Sequence, residues 1–461
     1  MTTSSPTVEG AQVGSSAATL VRGRFVLTAA NPAVIPDGAV RIVADRIDAI
    51  GSWSDLRSRY PDDAVAGGPH DVVTPGFINT HGHFSEALIT GVAKQCTLWE
   101  WIGELVGPVA PHLDDEAAYV GTLIGGIQML QSGITTANEM FVCDPEPGEP
   151  VTPGVVRALD ELGLRGVVSF GAADVRGVPI PVLMDEHAAL AESTSASTLS
   201  TFRVGVAALG AQSDALHAAT IEFAAAGGHG VHIHLQEIRE EVTAIRLQHG
   251  MTPIEYCART GLFATPTIAA HCVWVDADDR ETLADHQVGV AHNPVSNMIL
   301  ASGVCPVPEL RRLGVDVGIG VDGAASNDAQ NMLEAIKTSA LLQRVHRLQA
   351  TALSAEEAFE MATIGGARAL RLETELGSLE PGKAADLVVF DGDSAALANI
   401  HDPFGAIVYV AGPRNVKDVW VAGAKSVANG HVVNVDTDEV AVRSRPIANR
   451  IATAVGLAKR R

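Results

Sequence analysis

The chain has 461 residues, 47% hydrophobic and 19% charged, enough for a barrel-sized core with an accessory domain. A formal net charge of −22 argues against nucleic-acid and anionic-membrane partners, which need clustered Lys and Arg. No run reaches the roughly 18 apolar residues of a membrane span, and the cysteines (Cys96, Cys143, Cys257, Cys272, Cys305) form no C-x-x-C pair, so neither a disulfide framework nor a thiolate zinc site is indicated.

The first stretch, "MTTSSPTVEG", has no basic start and no apolar signal core. Residues 1–18 are expected to be a disordered tail, and the protein to be cytoplasmic. Within residues 19–74, "TLVRGRFVLTAA" and "AVRIVADRIDAI" alternate with period two and read as hairpin strands.

From residue 75 to 372 the texture changes. Short runs rich in Val, Ile and Thr ("PGFINTH", "GITTANEM", "GVVSFG", "FRVGVA", "GVHIHLQ", "TIAAHC", "VGVAH", "DVGIGVD") alternate with helical stretches such as "AAYVGTLIGGIQMLQS" and "DALHAATIEFAAA". Eight buried strands alternating with helices predict an α/β fold, a (β/α)8 barrel. An open doubly wound sheet would want an early G-x-G-x-x-G loop, and none follows the first strands. Residues 373–440 return to β texture in "LGSLEPGKAADLVVFD" and "VKDVWVAGAKSVANGHVV", so the two flanks are expected to join in one small β-sandwich. Residues 441–461, ending in "IANRIATAVGLAKRR", read as a closing basic helix.

Polar outliers gather at the C-terminal ends of those strands, the edge where barrel enzymes build their sites. His81 and His83 end strand one; His232 and His234 share strand five, followed by Glu237; His271, His292 and Asp322 end strands six, seven and eight. Two histidines at i and i+2 face the same way and can grip one ion. A catalytic divalent ion wants neutral imidazoles and a carboxylate, with a position left open for water. His81, His83, His234 and Asp322 are the expected metal ligands. Asp322 can also accept the water's proton, Glu237 can carry protons to and from the substrate, and His271 can polarise the electrophile or fix the water. Only one strand-five histidine need be a ligand, so His232 is left as a packing residue, like His112, His187, His249 and His401. A cytidine-deaminase-type zinc site is excluded, because its P-C-x-x-C element is missing.

The stretches "PGFINTHGH", "TLWEWI", "GITTANEMF", "HLQE", "GMTPIEYC", "AAHCVW", "HNPVSNMILASGVCPVPEL", "GIGVDGAASND" and "GSLEPGKAADLVV" resemble the amidohydrolase superfamily. More narrowly, they resemble its group of atrazine chlorohydrolase, melamine deaminase and S-adenosylhomocysteine/methylthioadenosine deaminases. The resemblance runs from about residue 20 to 430. It implies a metal-dependent hydrolase that cleaves a non-peptide C–N bond at an sp2 carbon of a small nitrogen compound. The same ligands and the Glu237/His271 pair are implied, with His292, Ser296 and Asn297 shaping the pocket. Binuclear relatives carry a strand-four lysine; "FRVGVAALG" has none, so one ion per chain is expected. Zinc is the first choice, with iron, cobalt or manganese fitting the same ligands. A homo-oligomer is implied as well.

One departure bears on substrate. Nucleoside deaminases of the group carry His-Ala-Pro-Tyr after strand four, where this chain has Ala207, Ala208, Leu209 and Gly210. With Phe84, Trp99, Trp101 and Trp274 as candidate pocket aromatics, this favours a smaller or greasier compound than an adenosine. The alternatives are a urea, amide or (thio)carbamate such as a phenylurea herbicide, or dechlorination of an s-triazine.

Overall fold

The computed structural model describes residues 18–457; the expected tail, up to residue 17, and the last basic residues lie outside them. Nine parallel strands form one sheet. In chain order they are Phe77–His83, Ile134–Phe141, Arg165–Ala172, Ser200–Val206, Gly230–Leu235, Thr267–His271, Gly289–His292, Val317–Ile319 and Asp322–Gly323. The strands are buried on both faces, which is why they read as unbroken apolar runs. The last run is split: Val317 pairs with Val290, whereas Asp322 pairs with Gly82 of the first strand. Consecutive pieces of one segment therefore occupy the two ends of the sheet path, and the sheet curls.

Helices connect the strands and start and stop where local chemistry dictates. Asp114 caps the helix Asp115–Gln131 by accepting from the Ala117 N–H, and Ser213 caps Asp214–Gly227 through Leu216. Gly163, Gly228, Gly250 and Gly261 end helices in the left-handed conformation.

The chain ends share a second, mixed sheet. Its path runs His431–Val432, Ala424–Ala428, Val416–Val421, Leu387–Phe390, Val72–Pro75, Thr19–Leu27, Val34–Val43, Arg46–Ser52, with Ala64–Gly67 beside Thr19–Leu27. The two ends of the chain meet where Val388 pairs antiparallel with Thr74. From there the chain enters the parallel sheet through Gly76 alone; a Cβ at that position would collide with the Thr135 side chain. Arg165, at the start of the third parallel strand, ties the two sheets together through Asp386, with its Nη2 3.0 Å from Oδ1. The closing helix spans Thr437–Ala454, starting four residues earlier than its apolar pattern suggests, because Asp436 caps it by accepting from Asp438 and Glu439. Among the described residues no helix is long and apolar enough to cross a membrane.

Candidate metal and active site

The side chains picked out at the strand ends converge. His81 and His83 leave the first strand, His234 the fifth, and Asp322 the last short strand. His83 Nε2 lies 3.0 Å from His234 Nε2. Asp322 Oδ1 lies 3.3 Å from His81 Nε2 and 3.5 Å from His83 Nε2. His81, His83 and Asp322 are buried, and so close together that one cation could bind them all. Asp322 is held at φ 60° and His271 at φ 74°, left-handed conformations that cost energy in non-glycine residues and occur where a site demands them.

The hydrogen-bond partners fix the tautomers. His83 Nδ1 is 2.6 Å from the Met140 carbonyl, and His234 Nδ1 is 2.6 Å from the Ala207 carbonyl, so each must carry its proton there. His81 Nδ1 faces His232 Nε2 at 2.8 Å. His232 Nδ1 in turn donates to Ser169 Oγ at 3.0 Å, and Ser169 donates to the Glu139 carbonyl at 2.7 Å. That chain leaves His232 Nε2 as an acceptor and puts the His81 proton on Nδ1. All three Nε2 atoms then point bare lone pairs at one spot. His81 Nε2 is buried without any hydrogen-bond partner, and two lone pairs 3.0 Å apart repel unless a cation joins them. The donor set is three neutral imidazoles and one carboxylate, which fits a divalent metal ion.

Electrostatics agree. Burial lowers His81 to about 4 against the pull of Asp322, and lowers His83 and His234 as well. Burial alone would raise Asp322, but His81, His271 and His83 reverse it and keep the carboxylate ionised.

Glu237 and His271 stand beside this group, His271 Nε2 being 3.5 Å from Glu237 Oε2 and 3.8 Å from Asp322 Oδ2. Burial raises the Glu237 carboxyl. Burial would lower His271, but Glu237, Asp322 and the Asn297 amide outweigh it and leave it raised. Ser302 Oγ donates to Glu237 Oε1 at 2.8 Å, and His271 Nδ1 donates to Asn297 Oδ1 at 2.8 Å, so both side chains are held in place.

A cavity of about 220 Å3 opens above the group. His83, His234, Glu237, His271 and Asp322 line it, as do Trp99 and Trp101. The other pocket candidates lie elsewhere. Phe84 is a core residue wedged against Gly121 and Gly125 of the helix Asp115–Gln131. Trp274 sits on an outer groove under the Arg239 guanidinium, with Nε1 donating to the Ser302 carbonyl. Asn297 stands behind His271, and His292 is buried with neither ring nitrogen paired. Two residues that sequence reasoning passed over matter here. His232, taken as packing, orients His81. Glu86, three residues beyond His83, also lines the cavity. His232 shares the His-x-His pattern of His234, but what it does, like the place of Glu86, depends on partners distant in the chain.

The profile of the Amidohydrolase family matches residues 72–431. The chain is 35% identical over 431 residues to the 5'-deoxyadenosine deaminase of Methanopyrus kandleri, covering 92% of this chain and 98% of that one. It is 34% identical over 435 residues to the 5-methylthioadenosine/S-adenosylhomocysteine deaminase of Pelotomaculum thermopropionicum, covering 94% and 98%. Among solved structures, an adenosine deaminase from Xanthomonas campestris with bound zinc superposes with a TM-score of 0.87 at 28% identity, covering 94% of this chain and 98% of that one. Atrazine chlorohydrolase from Arthrobacter aurescens, complexed with zinc, gives 0.83 at 22% identity, covering 93% and 100%, a likeness of fold.

Proposed function

The chain belongs to the amidohydrolase family, a hydrolase of non-peptide C–N bonds in small nitrogen compounds, and from that premise we propose that His81, His83, His234 and Asp322 bind one zinc ion with which Glu237 and His271 work. The parallel sheet is then a closed (β/α)8 barrel over residues 75–372, with residues 19–74 and 373–440 as its composite β-sandwich. The fourth strand, Ser200–Val206, offers no lysine to bridge a second ion. The observation that carries the reading is the convergence of three Nε2 lone pairs and one carboxylate on a single buried point.

A bound divalent ion supplies a Lewis acid that brings the pKa of water from about 16 toward 7, so that a nucleophile exists at neutral pH. The rest falls to the chain. Water adds to an sp2 carbon and loses a proton to Asp322. His271, held by Asn297, donates a hydrogen bond to the atom of the substrate that gains negative charge. Glu237, held by Ser302, gives its proton to the leaving nitrogen as the C–N bond breaks. The products are a carbonyl or its tautomer and ammonia or an amine.

A second reading concerns the substrate. The cavity wall beyond Ala207 and Ala208 is apolar, with Leu98, Trp101, Ile102, Val106 and Val142. That favours a compound with a greasy body, such as an aryl urea, amide or carbamate, over a ribose-bearing one. The test is a panel of aminated heterocycles, 5'-deoxyadenosine and N-aryl ureas, assayed for released ammonia or amine with and without a chelator. Turnover that survives complete metal removal refutes the metal assignment, and release of an aniline without ammonia selects the second reading.

A further inference from the structure

The cavity holds one buried carboxyl that the chemistry above does not use. Glu86 follows the first parallel strand in the turn Phe84–Glu86 and is 4% exposed. Its Oε2 accepts the Ala325 N–H at 2.9 Å and the Ser326 N–H at 3.1 Å. Among the described residues no donor reaches Oε1. The fit is close: a Cβ on Gly323 would fall on the Glu86 carboxyl, so the chain after Asp322 is cut away to seat it.

Capping two backbone N–H groups needs only an acceptor, and a glutamine carbonyl would serve. A carboxyl in this place is costly, because burial and then Asp322 push it up to about 8, and Glu139 lies near it as well. Two other polar groups of the wall are tied to the protein, although Glu241 Oε1 is buried without a partner. Arg176 is bidentate on Asp144, with Nε 2.8 Å from Oδ2. Glu241 accepts the Glu237 backbone N–H at 3.1 Å. Away from the metal-ligand group, where Leu98, Trp99, Trp101, Ile102 and Val106 form an apolar wall, Glu86 offers Oε1 as an acceptor with no donor of its own among the described residues. It follows the first strand, and Glu237 follows the fifth, four strands along the sheet; both line the same cavity.

We propose that Glu86 anchors the substrate, its Oε1 accepting an N–H of an uncharged, flat, largely apolar nitrogen compound. This rests on the cavity being the substrate site of the proposed hydrolase, and it names what that site selects: an N–H donor on an aromatic body, with anions refused by the surrounding carboxyls.

The test is binding, so it stands apart from turnover. At pH 9, above the value of about 8 to which Glu86 is pushed, so that Oε1 is an ionised acceptor, the zinc-loaded full-length protein is titrated calorimetrically with 2-aminobenzothiazole and 2-methylbenzothiazole, which differ in an NH2 for a CH3. The wild type should bind the amine about tenfold or more tightly than the methyl compound. Glu86→Gln keeps the backbone cap through its carbonyl but turns an N–H donor toward the ligand, so it should lose the amine preference while melting temperature and zinc content stay as in the wild type. Glu86→Leu should lose the preference too, and hold the methyl compound at least as well. A wild type with no amine preference, or a Glu86→Gln variant that keeps it, overturns the proposal. Amine binding through Glu86 without any C–N hydrolysis would sink the catalytic reading and leave this one standing; hydrolysis with KM unmoved by Glu86→Gln would do the reverse.

Discussion

His81 Nδ1 and His232 Nε2 face each other at 2.8 Å in the buried centre of the sheet. The contact aims the His81 lone pair at the proposed ion site; Ser169 holds His232 from behind at Nδ1, and Asn138 Nδ2 donates to the same Nε2 that His81 faces, at 3.3 Å. Replacing His232 with Leu should therefore weaken zinc binding by about 10–100-fold, the usual loss when a ligand's hydrogen-bond partner goes. His232→Gln, whose carbonyl can still accept from His81, should lose less. Competition with a chelating dye reads both; equal affinity in wild type and His232→Leu would show that His81 needs no such support.

Glu237→Gln should retain stoichiometric zinc, because Glu237 lies outside the ligand group. Its kcat should fall about a hundredfold or more, the usual worth of a positioned proton donor. Metal analysis and turnover on the same preparation check it, and a wild-type rate would move proton transfer to another group.

His187 is fully buried among Phe170, Phe202 and Phe223, and neither ring nitrogen has a partner. Burial lowers its pKa from 6.5 to about 3. Between those values the unfolded chain takes up a proton that the folded chain refuses, so stability is lost as pH falls through that window. His187→Leu should stabilise by about 1 kcal/mol at pH 7 by removing an unpaired buried donor, and by roughly 2 kcal/mol more at pH 5. Urea titrations at the two pH values measure it; a gain that does not grow on acidification would refute the account.

Arg165 joins the two sheets through Asp386, which is buried and also accepts the Ala422 N–H at 2.7 Å. Arg165→Met should cost about 3 kcal/mol, because the Asp386 charge is left buried without its partner. Adding Asp386→Asn should recover part of it in denaturant melts. A loss below about 0.5 kcal/mol would class the pair with ordinary surface bridges.

Much of this protein could be read from its chain alone. The alternation of Val- and Ile-rich runs with capped helices is a local property, set by side-chain burial and backbone propensity, and it gave the strands from Phe77–His83 to Val317–Ile319 in order. The proposed ligands His81, His83, His234 and Asp322 stood out because imidazoles and a carboxylate at the ends of apolar strands are costly unless something is bound there. Tertiary structure decided the rest. Whether His232 is packing or support depends on His81 and Ser169, which lie 151 and 63 residues away. Whether Phe84 faces substrate or core depends on the helix that carries Gly121 and Gly125. The Glu86 carboxyl has meaning only against the backbone after Asp322, more than two hundred residues on. A sequence records which groups are expensive to bury; which partner offsets each cost is settled by distances between residues far apart in the chain, and only the folded chain sets those.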